Sequence, residues 1–351
     1  MAAGSEGNIL VVTHGAGRGR SVPTGDVFFS RLKVRDPELA ARLQFHQTGT
    51  PAPSLNGVAL AVFWLGDPLR QKYPDCYADA SAIAREAARR GIPVLNHPDG
   101  LSNTTKAIQS EIWIKAGIPC APVACVSTPA ELTDAFARMD GPCFLRGNDT
   151  HAEREMRMLC APEQVRAAAE AICNPAALVR IHDVRAEYRR AGTPASSLYS
   201  RFHHKARAFV FQGDVKSSHL FFSHHLAVGL SNSLFAREER PKRRLLRKLG
   251  FRKQLFNDMI AEDLKYFHTR AAHRDVLVKA VAALGLDVAA VDYSIRPDGS
   301  LILWEANPYF FLPPGEQSVL ADERLAVARV NASLDWMANC LWAALPKRLA
   351  S

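Results

Sequence analysis

Short apolar runs, separated by turn-forming residues, characterise the first hundred residues of the chain. They predict buried strands at 8–13, 58–64 and 92–96. Between the last two strands, the alanine-rich segment 78–90 has helical composition and is followed directly by a glycine, the usual residue just past a helix end. Strand, helix and strand at this spacing predict a βαβ unit with parallel strands. We therefore expect a Rossmann-like domain over residues 1–100.

A glycine-rich turn, His14-Gly-Ala-Gly-Arg-Gly, follows the first strand. Its spacing is GxGxG, whereas the dinucleotide-binding fingerprint is GxGxxG and leads directly into a helix. The segment 21–26, which contains a proline and a glycine, is expected to interrupt any such helix. The turn therefore does not predict a nicotinamide cofactor.

The pattern beyond residue 100 alternates between helical and extended segments. A helix is predicted to begin near residues 102–106 and to continue to Ala116, and it ends at Gly117 before Ile-Pro. The other predicted elements are strands at 123–127, 143–146 and 176–182, a helix from Pro129, a hairpin turning at Gly213-Asp214, and helices at 274–284 and 325–345.

The most informative pattern lies near the C-terminus, where two apolar runs each lead to polar side chains. The run 288–291 leads to Asp292, and a second run, after the turn 297–300, leads to Glu305 and Asn307. Residues two apart in a strand share a face, and the hairpin returns Asp292 beside them. Two carboxylates and an amide oxygen suit a hard cation such as Mg²⁺ or Mn²⁺. The alternative is an ordinary hairpin with a polar, solvent-facing side.

This arrangement, an aspartate, a glutamate thirteen residues later and then Asn-Pro, resembles the metal-binding signature of the ATP-grasp superfamily. The resemblance implies an α/β (α+β) fold in three parts. These are a Rossmann-like domain (1–100), a small central subdomain (101–182) and a C-terminal antiparallel-sheet subdomain (183–351) with a basic helical insertion (234–273). It also implies ATP and Mg²⁺ as cofactors, and ligation of a carboxylate to an amine through an acyl phosphate.

The resemblance also implies roles for individual residues. Lys106 matches a phosphate-binding lysine early in a helix, and Arg146 stands where a second phosphate lysine is expected. Arg207, with Lys205 two residues before it, matches the catalytic cation that contacts the transferred phosphate. The other implied nucleotide contacts are His151 in the loop after Arg146 and the hinge residues Val179, Arg180 and Ile181.

The loop 147–155 departs from the family pattern, because it contains one glycine where several are expected. We still expect it to lie over the phosphates as a lid, with His151 replacing backbone amide contacts. Closure should then be weaker than in a glycine-rich loop.

Composition narrows the class of protein further. The chain has 351 residues, of which 48% are hydrophobic, and this suits a globular protein of two or three domains. No apolar run is long enough to cross a membrane, and the first residues do not resemble a secretory signal. Seven scattered cysteines without a CxxC pair indicate reduced thiols, so we expect a cytoplasmic protein.

The formal net charge of +9 is concentrated in segment 237–253, which holds nine basic and two acidic residues. Such a segment either contacts an anionic partner or forms a solvated helix. No nucleic-acid-binding motif accompanies it, so nucleic acid is not the expected partner.

The expected partners are a small-molecule or peptide carboxylate and an amine acceptor; the oligomeric state stays open. Alternatives are a nucleotide-binding protein without ligase activity, an ATP-grasp kinase, or a nucleic-acid-associated module.

Overall fold

The structure is a computed structural model, and it describes residues 7–15, 23–149, 156–169, 175–229, 233, 253–269, 273–308, 310 and 323–346. These residues form three four-stranded sheets. The N-terminal sheet is parallel, and the other two are antiparallel. The predicted α/β fold class, with a parallel N-terminal sheet and an antiparallel C-terminal sheet, is confirmed.

The N-terminal part has a Rossmann-like arrangement. Its elements are β1 (Asn8–Thr13), α1 (Pro23–Arg35), α2 (Pro37–Ala41), β2 (Leu43–Gln47), β3 (Val58–Phe63), α3 (Leu69–Lys72), α4 (Pro74–Arg89), β4 (Val94–Leu95) and α5 (Pro98–Leu101). The strand order is β2-β1-β3-β4. The predicted βαβ unit is therefore present as β3, α4 and β4, with β3 and β4 parallel.

One expectation for this part was wrong, because a helix does follow the glycine-rich turn. α1 begins at Pro23, in the segment that was expected to interrupt a helix. Proline suits the first helical position, since its fixed φ is helical and its missing N–H would have no partner there. Phe28 and Leu32, one turn apart, are fully buried against the sheet and hold the helix in place.

The central part is an antiparallel sheet with helices. Its elements are α6 (Lys106–Lys115), β5 (Val123–Val126), α7 (Pro129–Met139), β6 (Cys143–Gly147), β7 (Arg157–Leu159), α8 (Pro162–Ala169) and β8 (Ala176–Arg180), and the strand order is β5-β8-β6-β7. The helix predicted to begin near residues 102–106 starts at Lys106, where Thr105 caps it by accepting a hydrogen bond from Ile108 N.

The C-terminal part contains the predicted hairpins. Its elements are α9 (Val184–Arg190), α10 (Leu198–Arg201), β9 (His203–Phe211), β10 (Asp214–Ser223), α11 (Lys253–His268), α12 (Arg274–Ala283), β11 (Val288–Ile295), β12 (Leu301–Asn307) and α13 (Glu323–Ala344). The strand order is β10-β9-β11-β12. Residues 234–252 and 270–272 of the predicted basic insertion lie outside the described residues. Its last helix, α11, packs against β10 and buries Met259 completely.

The C-terminal sheet is packed unequally on its two faces. One face is apolar along its length and contacts α12. The other face is apolar only at one end, where Phe209 and Phe211 pack with α13 and with the N-terminal sheet. The rest of that face carries the polar side chains of the candidate site. None of the described helices combines the length and apolar character needed to cross a lipid bilayer.

Candidate active site

A cavity that is open to solvent lies between the central and C-terminal sheets. One end is apolar and is lined by Val123, Phe144, Val179, Ile181 and Trp304. The other end is charged and is lined by Lys106, Arg146, Lys205, Asp292 and Glu305.

Strand register builds the charged end of the cavity. Asp292 on β11 stands opposite Arg207 on β9 and opposite Glu305 on β12. Side chains in directly opposed positions of antiparallel strands lie on the same face within contact distance. The hairpin therefore brings Asp292 beside Glu305, as the sequence predicted, and β9 adds Arg207 to the same row.

Asp292 is held by two cations. Arg207 donates from Nε to Oδ1 at 2.6 Å and from Nη2 to Oδ2 at 2.9 Å, and Lys205 Nζ lies 3.2 Å from Oδ2. Burial alone would raise the pKa of Asp292, but the charges of Arg207 and Lys205 outweigh it and hold the pKa well below its usual range. Asp292 is therefore ionised at neutral pH, and Arg207 has its bidentate edge occupied.

Helix α6 supplies Lys106 to Glu305. Gln109, three residues along the same face, donates from Nε2 to Ala306 O and accepts from Ala306 N, both at 2.8 Å. This two-point contact fixes α6 against β12 and places Lys106 Nζ 3.5 Å from Glu305 Oε1. Burial lowers the pKa of Lys106, Glu305 partly offsets this effect, and the nearby charge of Arg146 adds to the lowering.

A β-bulge puts two consecutive residues of β12 into the cavity. The register between β11 and β12 shifts after Asp292, so that Tyr293 pairs with Leu303 and Trp304 is the extra residue. Trp304 and Glu305 therefore both line the cavity, although strict alternation would have placed them on opposite faces. Sequence analysis did not identify Trp304, because the bulge depends on strand pairing and leaves no residue pattern.

Asn307 is the third residue of the predicted metal site. It lies two positions beyond Glu305, opposite Ala290, and is buried. Within the described part of the chain its Oδ1 has no hydrogen-bond partner, which is costly for a buried acceptor. A cation near Glu305 would remove that cost, so the donor set fits Mg²⁺ with further ligands from phosphate or water.

Among the described residues, no group of three or more His, Cys, Asp or Glu side chains is placed to hold a metal ion. The candidate site has two such side chains, and the Asn307 amide is the third donor. Asp292 accepts hydrogen bonds on both oxygens, yet a carboxylate has about four lone-pair sites and can also bind a metal.

The charged end of the cavity carries more positive than negative charge. Four cations, Lys106, Arg146, Lys205 and Arg207, surround the carboxylates of Asp292 and Glu305. Asp67 adds a weaker attraction for Lys106 from the loop after β3. Like charges gathered in this way are stabilised by a bound anion.

The predicted hinge residues line the same cavity, with one restriction. The backbone N–H of Arg180 already donates to Pro122 O, and that of Ile181 to Pro142 O, both at 3.0 Å. These two amides are therefore not available to an adenine ring. The next residue, His182, also lines the cavity and was not predicted.

His182 has the properties of a neutral hydrogen-bonding group. Burial is the main cause that lowers the pKa of His182, and the charges of Arg296 and Arg180 lower this pKa further. Its Nε2 is buried and has no hydrogen-bond partner among the described residues. His203 and His204 line the cavity as well.

His151 and residues 150–155 of the predicted lid lie outside the described residues. The described start of that loop has a different contact. Asn148 is buried and caps α6, because its backbone O accepts from Lys106 N and its Oδ1 accepts from Ala107 N, both at 3.1 Å. Asn148 therefore positions Lys106, a role that the sequence did not suggest.

Comparison with known proteins gives similarity at the level of fold. No family model and no curated protein matches the sequence. The ATP-grasp ligase PsnB, complexed with precursor peptide PsnA2 and AMPPNP, matches with 13% identity and a TM-score of 0.52, over 93% of this chain and 98% of that one. A D-alanine–D-alanine ligase from Bacillus anthracis, complexed with ATP, matches with 12% identity and a TM-score of 0.50, over 96% and 99%.

A further structure of PsnB, complexed with a minimal precursor, Mg and ADP, matches with 14% identity and a TM-score of 0.51, over 93% of this chain and 98% of that one. The similarity thus extends across the whole chain in each case. The chain has the ATP-grasp fold, and the resemblance first seen in its C-terminal residues is confirmed at this level. This similarity to ligases is a similarity of fold.

Proposed function

We propose that this chain is an ATP- and Mg²⁺-dependent ligase that joins a carboxylate to an amine through an acyl phosphate. One observation carries the proposal: Lys106, Arg146 and Lys205, from three separate elements, meet Asp292 and Glu305 at one end of a cavity whose other end is apolar. A nucleotide has the same division, with an apolar base at one end and phosphates at the other.

The chemistry needs positioning and charge neutralisation more than a protein nucleophile. An oxygen of the substrate carboxylate attacks the γ-phosphorus, and the bond from that phosphorus to the ADP oxygen breaks. The amine nitrogen then attacks the acyl carbon, phosphate leaves with the C–O electron pair, and the amine loses a proton to give the amide.

The residues of the site have distinct parts in this scheme. Lys106, Arg146 and Lys205 neutralise charge on the transferred phosphoryl group. Arg207 acts mainly through Asp292, since its bidentate edge holds that carboxylate. Asp292, Glu305 and Asn307 would hold Mg²⁺, which supplies Lewis-acid stabilisation of the phosphate oxygens.

Similar proteins suggest the substrate class. PsnB is complexed with a precursor peptide, and the Bacillus anthracis enzyme is a D-alanine–D-alanine ligase. By analogy, this chain would act on an amino acid or a peptide, and the apolar end, with His182, would receive the adenine.

The test is release of ADP from MgATP in the presence of a panel of amino acids and peptides. The wild-type protein should release ADP with at least one pair of substrates, and Glu305→Gln should reduce turnover by about a hundredfold or more. Glu111→Gln, which changes an exposed residue of α6 paired with Lys115, is the matched control and should be fully active. Unchanged turnover in Glu305→Gln would refute the proposed role.

A second candidate function is nucleotide binding without ligation. It is favoured by the full engagement of Asp292 with Arg207 and Lys205, which competes with a metal for the same carboxylate. Calorimetry separates the two functions. MgADP binding without ADP release on any substrate pair would favour this second candidate.

A further inference from the structure

A second β-bulge, next to Arg207 in the sheet, brings Lys216 and His219 to one face of β10. The register between β9 and β10 shifts between Ser217 and His219, so that Lys216 pairs with Phe209 and His219 pairs with Arg207. Phe209 and Arg207 are two residues apart on β9 and share a face. Lys216 and His219 consequently lie on that same face of the sheet.

Helix α13 packs along this strand. Trp336 Nε1 donates to Asp214 Oδ2 at 3.0 Å at the beginning of β10. Two turns earlier in the helix, Arg329 reaches the middle of the strand through Asp263 of α11. Asp263 Oδ1 accepts from Leu220 N, and its Oδ2 accepts from Arg329 Nη1, both at 2.7 Å.

Arg329 is anchored by only one of its three nitrogens. The residue is 7% exposed, and in the described part of the chain its Nε and Nη2 are buried without a hydrogen-bond partner. These two atoms form the bidentate edge of a guanidinium, the edge with which Arg207 binds Asp292. Leaving this edge unpaired in a buried position is costly.

The surroundings of Arg329 hold more positive than negative charge. Arg329 Cζ lies 4.8 Å from the centre of the Phe267 ring, and Lys216 Nζ lies 4.6 Å from the same centre. Lys216 has no ion-pair partner among the described residues, and Asp263 is the one carboxylate they place against Arg329. Two cations beside one carboxylate leave a net positive charge, which one further anion would neutralise.

We propose that Arg329 and Lys216 form a binding subsite for a carboxylate of the substrate, one that does not react. The inference rests on the proposed ligase function and names a substrate feature, a free carboxylate on the amino acid or peptide. The planar edge of Arg329 matches a carboxylate in shape, and Asp263 holds the guanidinium in position. Neither Arg329 nor Lys216 lines the nucleotide cavity, so the subsite is separate from the phosphates of ATP.

The experiment is calorimetric titration of the full chain, with and without saturating MgADP. The probes are glycine, D-alanine, L-glutamate and alanyl-alanine, each compared with its C-terminal amide, and inorganic phosphate. Arg329→Lys keeps the charge and removes the bidentate edge. Arg31→Lys is the matched control, since Arg31 contacts α13 at its exposed residue Asp335.

At least one free carboxylate should bind the wild-type protein, and its amide should bind much more weakly. Arg329→Lys should weaken the carboxylate about tenfold or more, without changing the Kd of MgADP. Arg31→Lys should change neither. Equal thermal midpoints of the two variants will show that the fold is intact.

Three results would overturn the subsite: no carboxylate probe binds the wild-type protein, Arg329→Lys leaves the affinity unchanged, or inorganic phosphate binds more tightly than every carboxylate. A loss of MgADP affinity in Arg329→Lys equal to the loss of carboxylate affinity would also contradict it. Failure of MgADP to bind the wild-type protein would instead refute the proposed function, while the titrations without nucleotide still test Arg329.

Discussion

The contact between Gln109 and Ala306 is the structural basis of the site, and the substitution Gln109→Met tests it. Methionine has nearly the same length and volume, so the change removes hydrogen bonds without opening a cavity. Gln109 is 2% exposed and donates from Nε2 to Thr104 O at 2.7 Å, in addition to its two bonds with Ala306.

The expected cost follows from the groups left without partners. The variant strands Thr104 O, Ala306 O and Ala306 N inside the protein, and each stranded group costs roughly 1 to 2 kcal/mol. The free energy of unfolding should therefore fall by about 4 kcal/mol. Because the same contact places Lys106 beside Glu305, the affinity for MgADP should fall as well.

Urea denaturation followed by tryptophan fluorescence measures the change, and calorimetry measures MgADP affinity. Gln71→Met is the control, because Gln71 is exposed and donates a single hydrogen bond, at 3.0 Å, to Ser102 O. It should cost about 1 kcal/mol. If Gln109→Met loses no more stability than Gln71→Met, Gln109 does not fix α6 to β12.

Three other outcomes are expected. Asn307→Leu should abolish the Mg²⁺-dependent affinity for nucleotide, as measured by calorimetry. The free energy of unfolding without ligand should stay equal or rise by about 1 kcal/mol, because a buried acceptor without a partner is removed. Lower stability with unchanged affinity would contradict this. Burial lowers the pKa of His204 to about 3, so the unfolded chain takes up the proton first and stability falls below pH ~6.5. In urea denaturation, about 1.4 kcal/mol of the loss between pH ~7.5 and ~5.5 should disappear in His204→Phe, and an unchanged loss would exclude His204 as its source. Asn148→Ala should cost about 1 kcal/mol of stability in the same assay through loss of the cap on Ala107 N, and no loss would refute the capping role.

The C-terminal hairpin shows how much a local pattern can determine. Apolar runs, a turn of Pro-Asp-Gly-Ser and polar residues at the strand ends were enough to predict two antiparallel strands with Asp292 beside Glu305, and the structure has that pairing. The prediction succeeded because strand alternation and hairpin turns depend on neighbouring residues. The βαβ unit near the N-terminus was predicted for the same reason.

Local rules were ambiguous where one residue type is compatible with two different structural positions. The sequence predicts an interruption at Pro23, but Pro23 starts α1, because proline is disfavoured inside a helix and favoured at its first position. What decided between the two was the burial of Phe28 and Leu32 by the rest of the fold. The start of α6 was predicted only to within residues 102–106, and the structure shows that Thr105 is the capping residue.

The sequence by itself determined the class of fold, the hairpin, and the chemical character of Lys106, Arg146, Asp292 and Glu305. Only the tertiary structure decided what these side chains contact. The capping of α6 by Asn148 and the contact of Arg329 with Asp263 join residues far apart in the chain, and the bulge at Trp304 depends on how β11 and β12 pair. Such contacts depend on how sheets and helices pack, and packing is a property of the whole chain that no local pattern of residues encodes.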